Sequence, residues 1–269
     1  MTLSRFVAHR SPELVFLGTR GYTEIRTRRH RRHSATLVRY RGRSVMIDCG
    51  KDWMGRVAEL QPDAIVLTHA HPDHAGGLGP EVECPVYAPK ATWARVATAA
   101  GDRRVLPARS PTRIAGILFE AFPVEHSLLA PAVGYRVTAG RARFFYVPDV
   151  ARIPHRREAL GAIHLYVGDG ATLTRPLLRR RGSRLIGHAP IATQLAWCGR
   201  ERVPAAIFTH CGTGILAADG RRLAARLRAM GRERGVEAGI ARDGLRIVVG
   251  APALDGRPLL EQSTCRNAS

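Results

Sequence analysis

Residues 64–78 read Ala-Ile-Val-Leu-Thr-His-Ala-His-Pro-Asp-His-Ala-Gly-Gly-Leu and combine an apolar run with a dense cluster of polar side chains. Its apolar start predicts a strand that ends at Thr68. Four side chains able to bind a metal follow within six residues: His69, His71, Asp73 and His74. The proline inside the cluster favours an extended backbone just before it, so we expect the first two histidines to face one side before the chain turns. One loop can therefore offer two imidazoles to one metal ion, and a carboxylate with an imidazole to a second.

Three further residues of ligand type stand directly after strand-like apolar runs. His126 follows the run that ends in Phe-Pro, Asp149 follows Phe-Phe-Tyr-Val-Pro, and His210 follows Ala-Ile-Phe-Thr. Since the loops at the carboxyl ends of neighbouring strands meet at one edge of a sheet, we expect these side chains to join the 69–74 cluster. Neutral imidazole and carboxylate groups suit Zn²⁺, and also Mn²⁺ or Fe²⁺.

Each of these residues also has an interpretation without a metal. A single His or Asp after a strand is usually a cap or a surface residue. The 69–74 cluster alone could be a solvated polar loop. The strand before that cluster and Gly76-Gly77 after it favour the metal interpretation, as does the joint order of all seven residues.

The HxHxDH motif at residues 69–74, followed by a His, an Asp and a His after strands, resembles the metallo-β-lactamase superfamily over about residues 14 to 249. The resemblance implies an α/β fold, a four-layer αββα sandwich, with two divalent metal ions. Zn²⁺ is the expected ion, with Mn²⁺ or Fe²⁺ as alternatives. The resemblance also divides the ligands: His69, His71 and His126 on the first ion, Asp73, His74 and His210 on the second, and Asp149 bridging the two.

Other segments resemble one branch of that superfamily, ribonuclease Z and the cyclic phosphodiesterases. Residues 14–21, LVFLGTRG, open like the FLGTxG start of that branch, and residues 241–245, ARDGL, resemble its closing segment. Asp48 matches an aspartate that commonly sits behind the metal-binding loop and orients its ligands. His188, in the sequence GHAPI, matches an extra histidine before a helix.

The resemblance implies hydrolysis by a metal-activated hydroxide. Asp73 could accept a hydrogen bond from that nucleophile and aim it, while His188 is the candidate general acid or electrostatic partner for the leaving alkoxide. His188 could instead be a polar residue at a helix start. Asp169 also follows a strand and could orient His188, although a structural role in its loop is the favoured interpretation. Cys211 is expected to pack as a small residue beside His210 rather than to bind metal.

Short β-like runs recur through the whole chain, and helical patterns lie between them. The predicted strands are Glu13–Leu17, Ala35–Tyr40, Val45–Asp48, Ala64–Leu67, Gly116–Phe122, Ala132–Val137, Arg143–Val147, His164–Val167, Ala205–Phe208 and Gly244–Val249. The predicted helices are Trp53–Leu60, Ala91–Ala100, Pro154–Leu160, Ile191–Gly199 and Arg221–Gly235. This pattern suggests two sheets with helices on their outer faces, and we expect one domain over residues 1–269.

Composition limits the surroundings of the protein. No segment is long and apolar enough to span a bilayer, and the N-terminal residues lack the sustained apolar run of a signal peptide. The five cysteines are odd in number and contain no CxxC pair, which argues against a disulfide framework or a Cys₄ zinc site. They are Cys49, Cys84, Cys198, Cys211 and Cys265. We expect reduced thiols, a cytoplasmic location and no membrane partner.

The formal net charge of +20 predicts attraction to phosphates, nucleic acid or acidic metabolites. All of the 42 basic residues except Lys51 and Lys90 are arginine, so the coding bias of a GC-rich genome explains the charge about as well. The segment Arg20–His33 is the most basic part near the predicted site. It could bind phosphate through guanidinium groups, or it could be a solvated basic loop.

We predict a phosphodiesterase that acts on an anionic small molecule or nucleic acid: a cyclic phosphate, a nucleotide or an RNA end. The short span between His74 and His126 leaves little room for the tRNA-clamping arm of ribonuclease Z, which lowers the odds of tRNA 3′ processing. Lactones or thioesters are the alternative substrates. A nucleic-acid-binding protein without catalysis is a further alternative, and the complete ligand set argues against it. Homodimers are common in the superfamily, so the resemblance also allows for a homodimer.

Overall fold

The computed structural model describes residues 11–97 and 101–250. In these ranges the chain forms two seven-stranded sheets and a separate two-stranded hairpin. The strands are β1 (Glu13–Gly18), β2 (Ala35–Tyr40), β3 (Arg43–Ile47), β4 (Ala64–Val66), β5 (Val86–Ala88), β6 (Arg103–Val105), β7 (Thr112–Ile114), β8 (Ile117–Val124), β9 (Ala132–Ala139), β10 (Ala142–Tyr146), β11 (Leu165–Asp169), β12 (Leu177–Arg181), β13 (Arg184–His188), β14 (Ala205–Thr209), β15 (Glu237–Ile240) and β16 (Arg246–Val248). The helices are α1 (Pro72–Ala75), α2 (Lys90–Trp93), α3 (Arg156–Ala159), α4 (Ile191–Arg200), α5 (Thr213–Leu216) and α6 (Gly220–Arg232), with 3₁₀ turns at Lys51–Trp53 and Val57–Glu59.

Both sheets are mixed, and each has a parallel part. The strand order is β16-β1-β2-β3-β4-β5-β6 in the first sheet and β15-β14-β11-β10-β9-β8-β7 in the second. Strands β3 to β6 are parallel neighbours, as are β10, β11, β14 and β15. The carboxyl ends of these parallel strands therefore lie at one edge of their sheet, where the loops that follow β4, β10, β11 and β14 begin.

The two sheets pack face to face over an apolar core. Phe16 from the first sheet and Tyr135 and Phe144 from the second belong to one buried cluster. Side chains alternate between the two faces of a strand, so Phe145, next to Phe144, belongs to a different cluster on the outer face. Each large apolar side chain buried in this way contributes about 1.5–3 kcal/mol to stability.

Helices cover the outer face of each sheet. On the second sheet, Leu195 of α4 and Leu227 of α6 are buried against Tyr166 and its neighbours. On the first sheet, Trp53 and residues around α1 cover Ile65. The layers are thus helix, sheet, sheet and helix, and the predicted αββα sandwich is confirmed.

All ten predicted strands are present, and six more are not predicted: β5, β6, β7, β12, β13 and β15. None of the missed strands contains an apolar run longer than three residues. Strand β12 reads Leu-Leu-Arg-Arg-Arg, and β15 contains a glycine in Glu-Ala-Gly-Ile. Their pairing comes from neighbouring strands rather than from their own apolar pattern.

Two of the predicted helices are confirmed in place, since Ile191–Gly199 matches α4 and Arg221–Gly235 matches α6 to within a few residues. The helix predicted at Trp53–Leu60 is wrong. That segment holds only 3₁₀ turns, because Gly55 between them adopts a left-handed φ of 71° that no helix tolerates.

The other two helices are shorter than predicted. The Ala91–Ala100 prediction shrinks to α2, after which the indole Nε1 of Trp93 donates to the carbonyl of Arg104 at 2.9 Å and ties the chain to β6. Residues 98–100 lie outside the described residues. The Pro154–Leu160 prediction shrinks to the single turn of α3.

None of the helices in residues 11–97 and 101–250 combines the length and apolarity that crossing a bilayer requires. Four of the five cysteines are described as free thiols, and three of these, Cys49, Cys198 and Cys211, are buried. Cys265 lies outside the described residues, as do positions 1–10 and the rest of 251–269.

Candidate metal centre

The loop after β4 carries the first four candidate ligands. His71 has an extended backbone, with φ −63° and ψ 147°, and Pro72 then begins helix α1. This is the predicted extended-then-turn geometry, and it separates His69 and His71 from Asp73 and His74. The turn was predicted from the sequence, and in the structure it is a short helix.

The structure brings His126 to the first pair of histidines. His69 Nε2 lies 3.0 Å from His71 Nδ1, and His126 Nε2 lies 3.3 Å from the same atom. A tetrahedral ion about 2.0–2.1 Å from its nitrogen ligands keeps them about 3.3–3.4 Å apart. The three nitrogens are therefore spaced as ligands of one ion would be, and they form a group that could hold a metal.

Asp73, His74 and His210 form a second such group. Asp73 Oδ2 lies 3.0 Å from His210 Nε2 and 3.5 Å from His74 Nε2. His210 follows β14 directly and reaches this position from the second sheet, whereas the other two residues come from the first. The second group thus joins the two halves of the sandwich.

Asp149, in the loop after β10, lies between the two groups. Its Oδ2 is 3.3 Å from His69 Nε2 and 2.7 Å from His74 Nε2, while its Oδ1 is 3.0 Å from His210 Nδ1. One carboxylate therefore contacts residues of both groups. All seven predicted ligands converge, six of them buried and His71 half-buried.

Several of these buried atoms make no hydrogen bond. His74 Nε2, Asp149 Oδ1 and His210 Nδ1 have no hydrogen-bond partner, although each lies within 3.0 Å of another polar atom. A buried polar atom without a partner costs about 1–3 kcal/mol. These imidazole and carboxylate atoms lie close together without hydrogen-bond geometry. A cation bound between them would interact favourably with all of them. The donor set therefore fits divalent metal ions.

The electrostatics divide the histidines into two kinds. Burial lowers the pKa of His69 well below its ordinary value and that of His71 to about 4. The pKa of His126 is also lowered, mainly by burial. Burial opposes charge on His74 and His210 as well, but Asp73 and Asp149 outweigh it and raise the pKa of each histidine to about 10.

The two carboxylates stay ionised. Burial would raise the pKa of Asp73 and Asp149, but the neighbouring histidines hold both values below the ordinary range. Without a metal, protons on His74 and His210 thus balance buried negative charge. Metal binding replaces such protons, because an imidazole must be neutral to act as a ligand.

A layer of hydrogen bonds behind the site orients the candidate ligands. Asp48 Oδ2 accepts from His74 Nδ1 at 2.9 Å, and Asp48 Oδ1 accepts from the backbone N–H of Thr68 at 2.7 Å. The carbonyl of Gly187 accepts from His126 Nδ1 at 3.2 Å. Contacts of this kind fix the ring orientation and raise the basicity of metal-binding histidines. Asp48 lies where the family resemblance predicted it.

Two non-glycine residues of the site have left-handed backbone conformations. The φ angle is 61° at Asp48 and 52° at His210. Such conformations cost of order 1–3 kcal/mol and persist where the surrounding structure holds them in place. Here they direct the Asp48 carboxylate to the ring of His74 and the His210 imidazole into the centre.

His188 lies at the rim of the centre, at the end of β13 rather than at a helix N-cap, which is Pro190. Its Nδ1 donates to Asp169 Oδ2 at 2.8 Å and lies 3.2 Å from Asp149 Oδ1. Burial would lower the pKa of His188, but the nearby carboxylates of Asp169 and Asp149 raise it to about 11. Asp169, interpreted from sequence mainly as a loop residue, contacts His188 directly.

Gln194 is a site residue that sequence reasoning missed. It is buried on α4, and its Nε2 donates to the carbonyl of Asp169 at 2.8 Å while its Oε1 accepts from Asp169 N–H at 2.9 Å. It therefore fixes the backbone that carries Asp169. The only signal was a polar residue on the buried side of the predicted helix Ile191–Gly199. Cys211 is buried and belongs to none of the metal-binding groups among the described residues.

The basic segment Arg20–His33 is anchored at both ends. Arg20 has 1% of its side chain exposed and donates to Asp52 Oδ2 at 2.7 Å, and His33 Nδ1 lies 2.5 Å from the same oxygen. Arg20 is thus part of a buried ion pair. Between the anchors, Arg26 is exposed, as are Arg28, Arg29 and Arg31.

A cavity of about 360 Å³ opens above the centre. Five candidate ligands line it, together with Tyr22, Pro72 and His188. The five ligands are His71, Asp73, His126, Asp149 and His210. A small molecule or the end of a chain can therefore reach the candidate metal ligands and His188 together.

Comparison with known proteins relates this chain to characterised sequences. The profile of the β-lactamase superfamily domain matches residues 43–211, a range that includes every candidate ligand. Ribonuclease Z of Kineococcus radiotolerans is 29% identical over 186 residues, which is 55% of this chain and 58% of that protein. Ribonuclease Z of Methanopyrus kandleri is 31% identical over 198 residues, which is 59% of this chain and 68% of that protein. The chain thus spans less than two thirds of the first relative.

Solved structures share the fold at low sequence identity. The metallo-β-lactamase fold protein YhfI from Bacillus subtilis has a TM-score of 0.64 and 14% identity, covering 88% of this chain and 98% of that one. A diphosphatase from the PhnP family has a TM-score of 0.64 and 20% identity, covering 88% and 96%. Human tRNase Z, short form, has a TM-score of 0.61 and 16% identity, covering 89% and 100%. This chain therefore belongs to the β-lactamase superfamily and has the metallo-β-lactamase fold.

Proposed function

We propose that this protein, as one catalytic domain, is a dinuclear metal-dependent phosphodiesterase. Its substrate would be a cyclic phosphate, a nucleotide or an RNA end. The observation that carries the proposal is the convergence of seven ligand-type side chains into two groups of three, with Asp149 in contact with both. Two-metal sites with ions about 3.5–4 Å apart are typical of enzymes that hydrolyse phosphate esters.

In this proposal His69, His71 and His126 hold the first ion and Asp73, His74 and His210 hold the second, with Asp149 shared. The mixture of imidazole nitrogen and carboxylate oxygen favours Zn²⁺, and also accommodates Mn²⁺ or Fe²⁺. Bound divalent ions would supply Lewis-acid chemistry, activating water for attack and stabilising negative charge on phosphoryl oxygens. The carboxylate of Asp73, which borders the cavity, accepts a hydrogen bond from the attacking water and orients it.

His188 serves the leaving group. Asp169 holds its Nδ1–H at 2.8 Å, which leaves Nε2 to face the cavity that His188 lines. An imidazole held in this way can keep a proton at Nε2 and donate it to the departing oxygen. Asp169 and Gln194 are positioning residues, since they act through His188 and its backbone surroundings.

Relatives and charge favour phosphodiesters over carbon esters. Both curated relatives described above are ribonucleases Z, which supports a phosphodiester substrate for this chain. The net charge of +20 favours an anionic substrate. Lactones and thioesters, the alternative substrates, gain no specific support from the described residues.

The test combines metal analysis with hydrolysis of bis(p-nitrophenyl) phosphate, with and without chelator. We expect two metal ions per chain and turnover that stops on chelation. His69→Ala should lose metal and turnover, whereas His155→Ala, which removes an exposed imidazole on helix α3's N-terminal side, should keep both. Two metals with turnover of a lactone or thioester and of no phosphodiester would replace the proposed substrate class. Absence of metal would contradict the site itself.

We further infer a cytoplasmic location, because the described cysteines are free thiols and suit a reducing compartment. A homodimer is the proposed assembly, on the family resemblance alone. Sedimentation of the purified protein tests it directly, since a dimer would sediment at twice the chain mass of 29.4 kDa.

A further inference from the structure

Strands β12 and β13 form a hairpin that belongs to neither large sheet. Its outer half carries Arg179, Arg180, Arg181 and Arg184, all exposed. Its inner end is His188, at the rim of the candidate centre. The hairpin therefore runs outward from the site as a basic arm.

The strand register assigns these arginines to faces. The cross-strand pairs are Leu177 with His188, Arg179 with Ile186, and Arg181 with Arg184. Alternate residues of a strand share a face. Arg179, Arg181 and Arg184 consequently share one face with His188, while Arg180 lies on the opposite face.

This arrangement of charge does not stabilise the hairpin. Arg181 and Arg184 are direct cross-strand partners, and like charges in that position are destabilising. Arg179 and Arg181 form no ion pair with any residue in 11–97 or 101–250. Glu125 is the acidic group near Arg184, and it is already paired with Arg152 at 2.6 Å. The charges on the His188 face are thus available to an external anion.

A second cavity, of about 400 Å³, connects this arm to the site. It shares Tyr22, His188 and His210 with the cavity over the centre. It is also lined by Arg175, two residues before β12, and by Leu177, the first residue of β12. Tyr22 is 71% exposed, so its ring is open to a ligand that passes from one cavity to the other.

We propose that the His188 face of the β12–β13 hairpin binds the backbone of a single-stranded nucleic acid whose reacting phosphodiester lies at the centre. The four residue-to-residue steps from His188 to Arg184 extend about 14 Å, at about 3.4 Å per step. A mononucleotide is too short to use that length, but a chain of several phosphates spans it. Tyr22 supplies a surface on which a base stacks. The inference rests on the proposed phosphodiesterase function and specifies its substrate as a polynucleotide end.

The test measures binding of a fluorescein-labelled single-stranded RNA of about a dozen nucleotides by anisotropy over a series of salt concentrations. The test variant is Arg179→Gln with Arg181→Gln. The control is Arg141→Gln with Arg180→Gln, which removes the same charge. Arg180 lies on the opposite face, and Arg141 lies in the β9–β10 turn, at the far end of β10 from Asp149. We expect the test variant to bind about tenfold more weakly. The slope of log affinity against log salt concentration should fall in magnitude by about 1.4, because each of the two lost phosphate contacts contributes about 0.7. The control should stay within about twofold of wild type.

Equal losses in the two double variants would overturn the proposal, because they would show attraction to overall charge alone. Unchanged RNA affinity in the test variant would also overturn the proposal, whether or not the oligomeric state of that variant changes. Hydrolysis of bis(p-nitrophenyl) phosphate by the wild-type protein is measured in parallel. If the wild type hydrolyses that ester and the hairpin variants bind RNA normally, the hairpin inference fails while the phosphodiesterase proposal stands.

Discussion

Two aspartates at the site differ in their hydrogen bonds, and this difference separates their roles. The carboxylate of Asp169 accepts from the backbone N–H groups of Val150 and Ala171, at 3.0 and 2.8 Å, and from His188. Asp149 Oδ1 has no hydrogen-bond partner, although it is buried. Asp169 also lies in a group with Asp149, His188 and His210 that could hold a metal. Its three hydrogen bonds nevertheless favour an orienting role, whereas the unpartnered Oδ1 of Asp149 is left for a metal ion.

The pair Asp149→Asn and Asp169→Asn tests this difference. We expect Asp149→Asn to lose metal, because it removes the charge shared between the two groups. Asp169→Asn should keep two metal ions per chain and lower kcat about 10- to 100-fold, through the loss of His188 orientation. Metal analysis and steady-state kinetics on the same preparations provide the measurement. Loss of metal from Asp169→Asn would show that Asp169 is itself a ligand.

Asp48 gives a second prediction at this scale. Asp48→Asn should lower metal affinity about 10- to 100-fold, because the ring of His74 loses the carboxylate that holds its Nδ1–H. Competition with a chromophoric chelator measures the affinity. Asp102→Asn, in an exposed ion pair with Arg104, is the matched control and should bind metal as the wild type does. Equal metal affinities in the wild type, Asp48→Asn and Asp102→Asn would show that Asp48 does not support metal binding.

At the scale of elements, the connection between β1 and β2 forms one wall of the site. Gly21 N–H donates to the carbonyl of Cys211 at 3.0 Å, and a Cβ at Gly21 would lie 3.1 Å from the ring of His210. The buried pair of Arg20 and Asp52 holds this connection in place. The basic segment therefore has a structural base, and its exposed arginines lie further along the loop.

Asp52→Ala should destabilise this wall strongly. It leaves Arg20 buried and unpaired, which costs about 3–5 kcal/mol of unfolding free energy. Asp63→Ala breaks a pair whose Arg43 is 65% exposed and removes one hydrogen bond from the N–H of Ser44, so it should cost less, about 1–2 kcal/mol. Urea denaturation of both variants measures the difference. Similar losses in the two variants would contradict the buried ion pair.

The same pair predicts a pH dependence. Burial would raise the pKa of Asp52, but the N–H and ring of His33 and the charge of Arg20 hold it below its ordinary value. A carboxyl with a lowered folded-state pKa stabilises the fold above its unfolded pKa, about 3.9, and loses that contribution as the pH falls below it. The difference in stability between wild type and Asp52→Ala should therefore shrink below about pH 4. A constant difference down to about pH 2 would contradict this.

At the scale of the whole molecule, the centre joins the two sheets, so metal binding should stabilise the fold. A ligand at about 100 times its Kd adds about 2.7 kcal/mol. In a chain of this size that corresponds to roughly 5–10 °C in melting temperature. Chelation should therefore lower the melting temperature by this amount in the wild type and leave His69→Ala unchanged. Equal melting curves for metal-loaded and chelated wild type would contradict a centre that spans both sheets.

Much of this architecture could be predicted from sequence because its signals are local. His126, Asp149 and His210 could be assigned to one site with residues 69–74 because each closely follows the end of an apolar strand. Gln194 could not be predicted, since its role depends on a backbone from another element. The β12–β13 hairpin was missed because its arginines hide the alternation of a strand, and only the pairing shows which of them face His188. The failed helix at Trp53–Leu60 shows how one left-handed glycine overrides an apolar pattern.

The two metal ions proposed between the sheets can be located by anomalous diffraction from crystals grown with Zn²⁺. We expect two peaks about 3.5–4 Å apart, one beside His69, His71 and His126 and the other beside Asp73, His74 and His210, with Asp149 in contact with both. A single peak bound by only one of these groups would contradict the dinuclear centre. Peaks away from these residues, or none at all, would contradict the site.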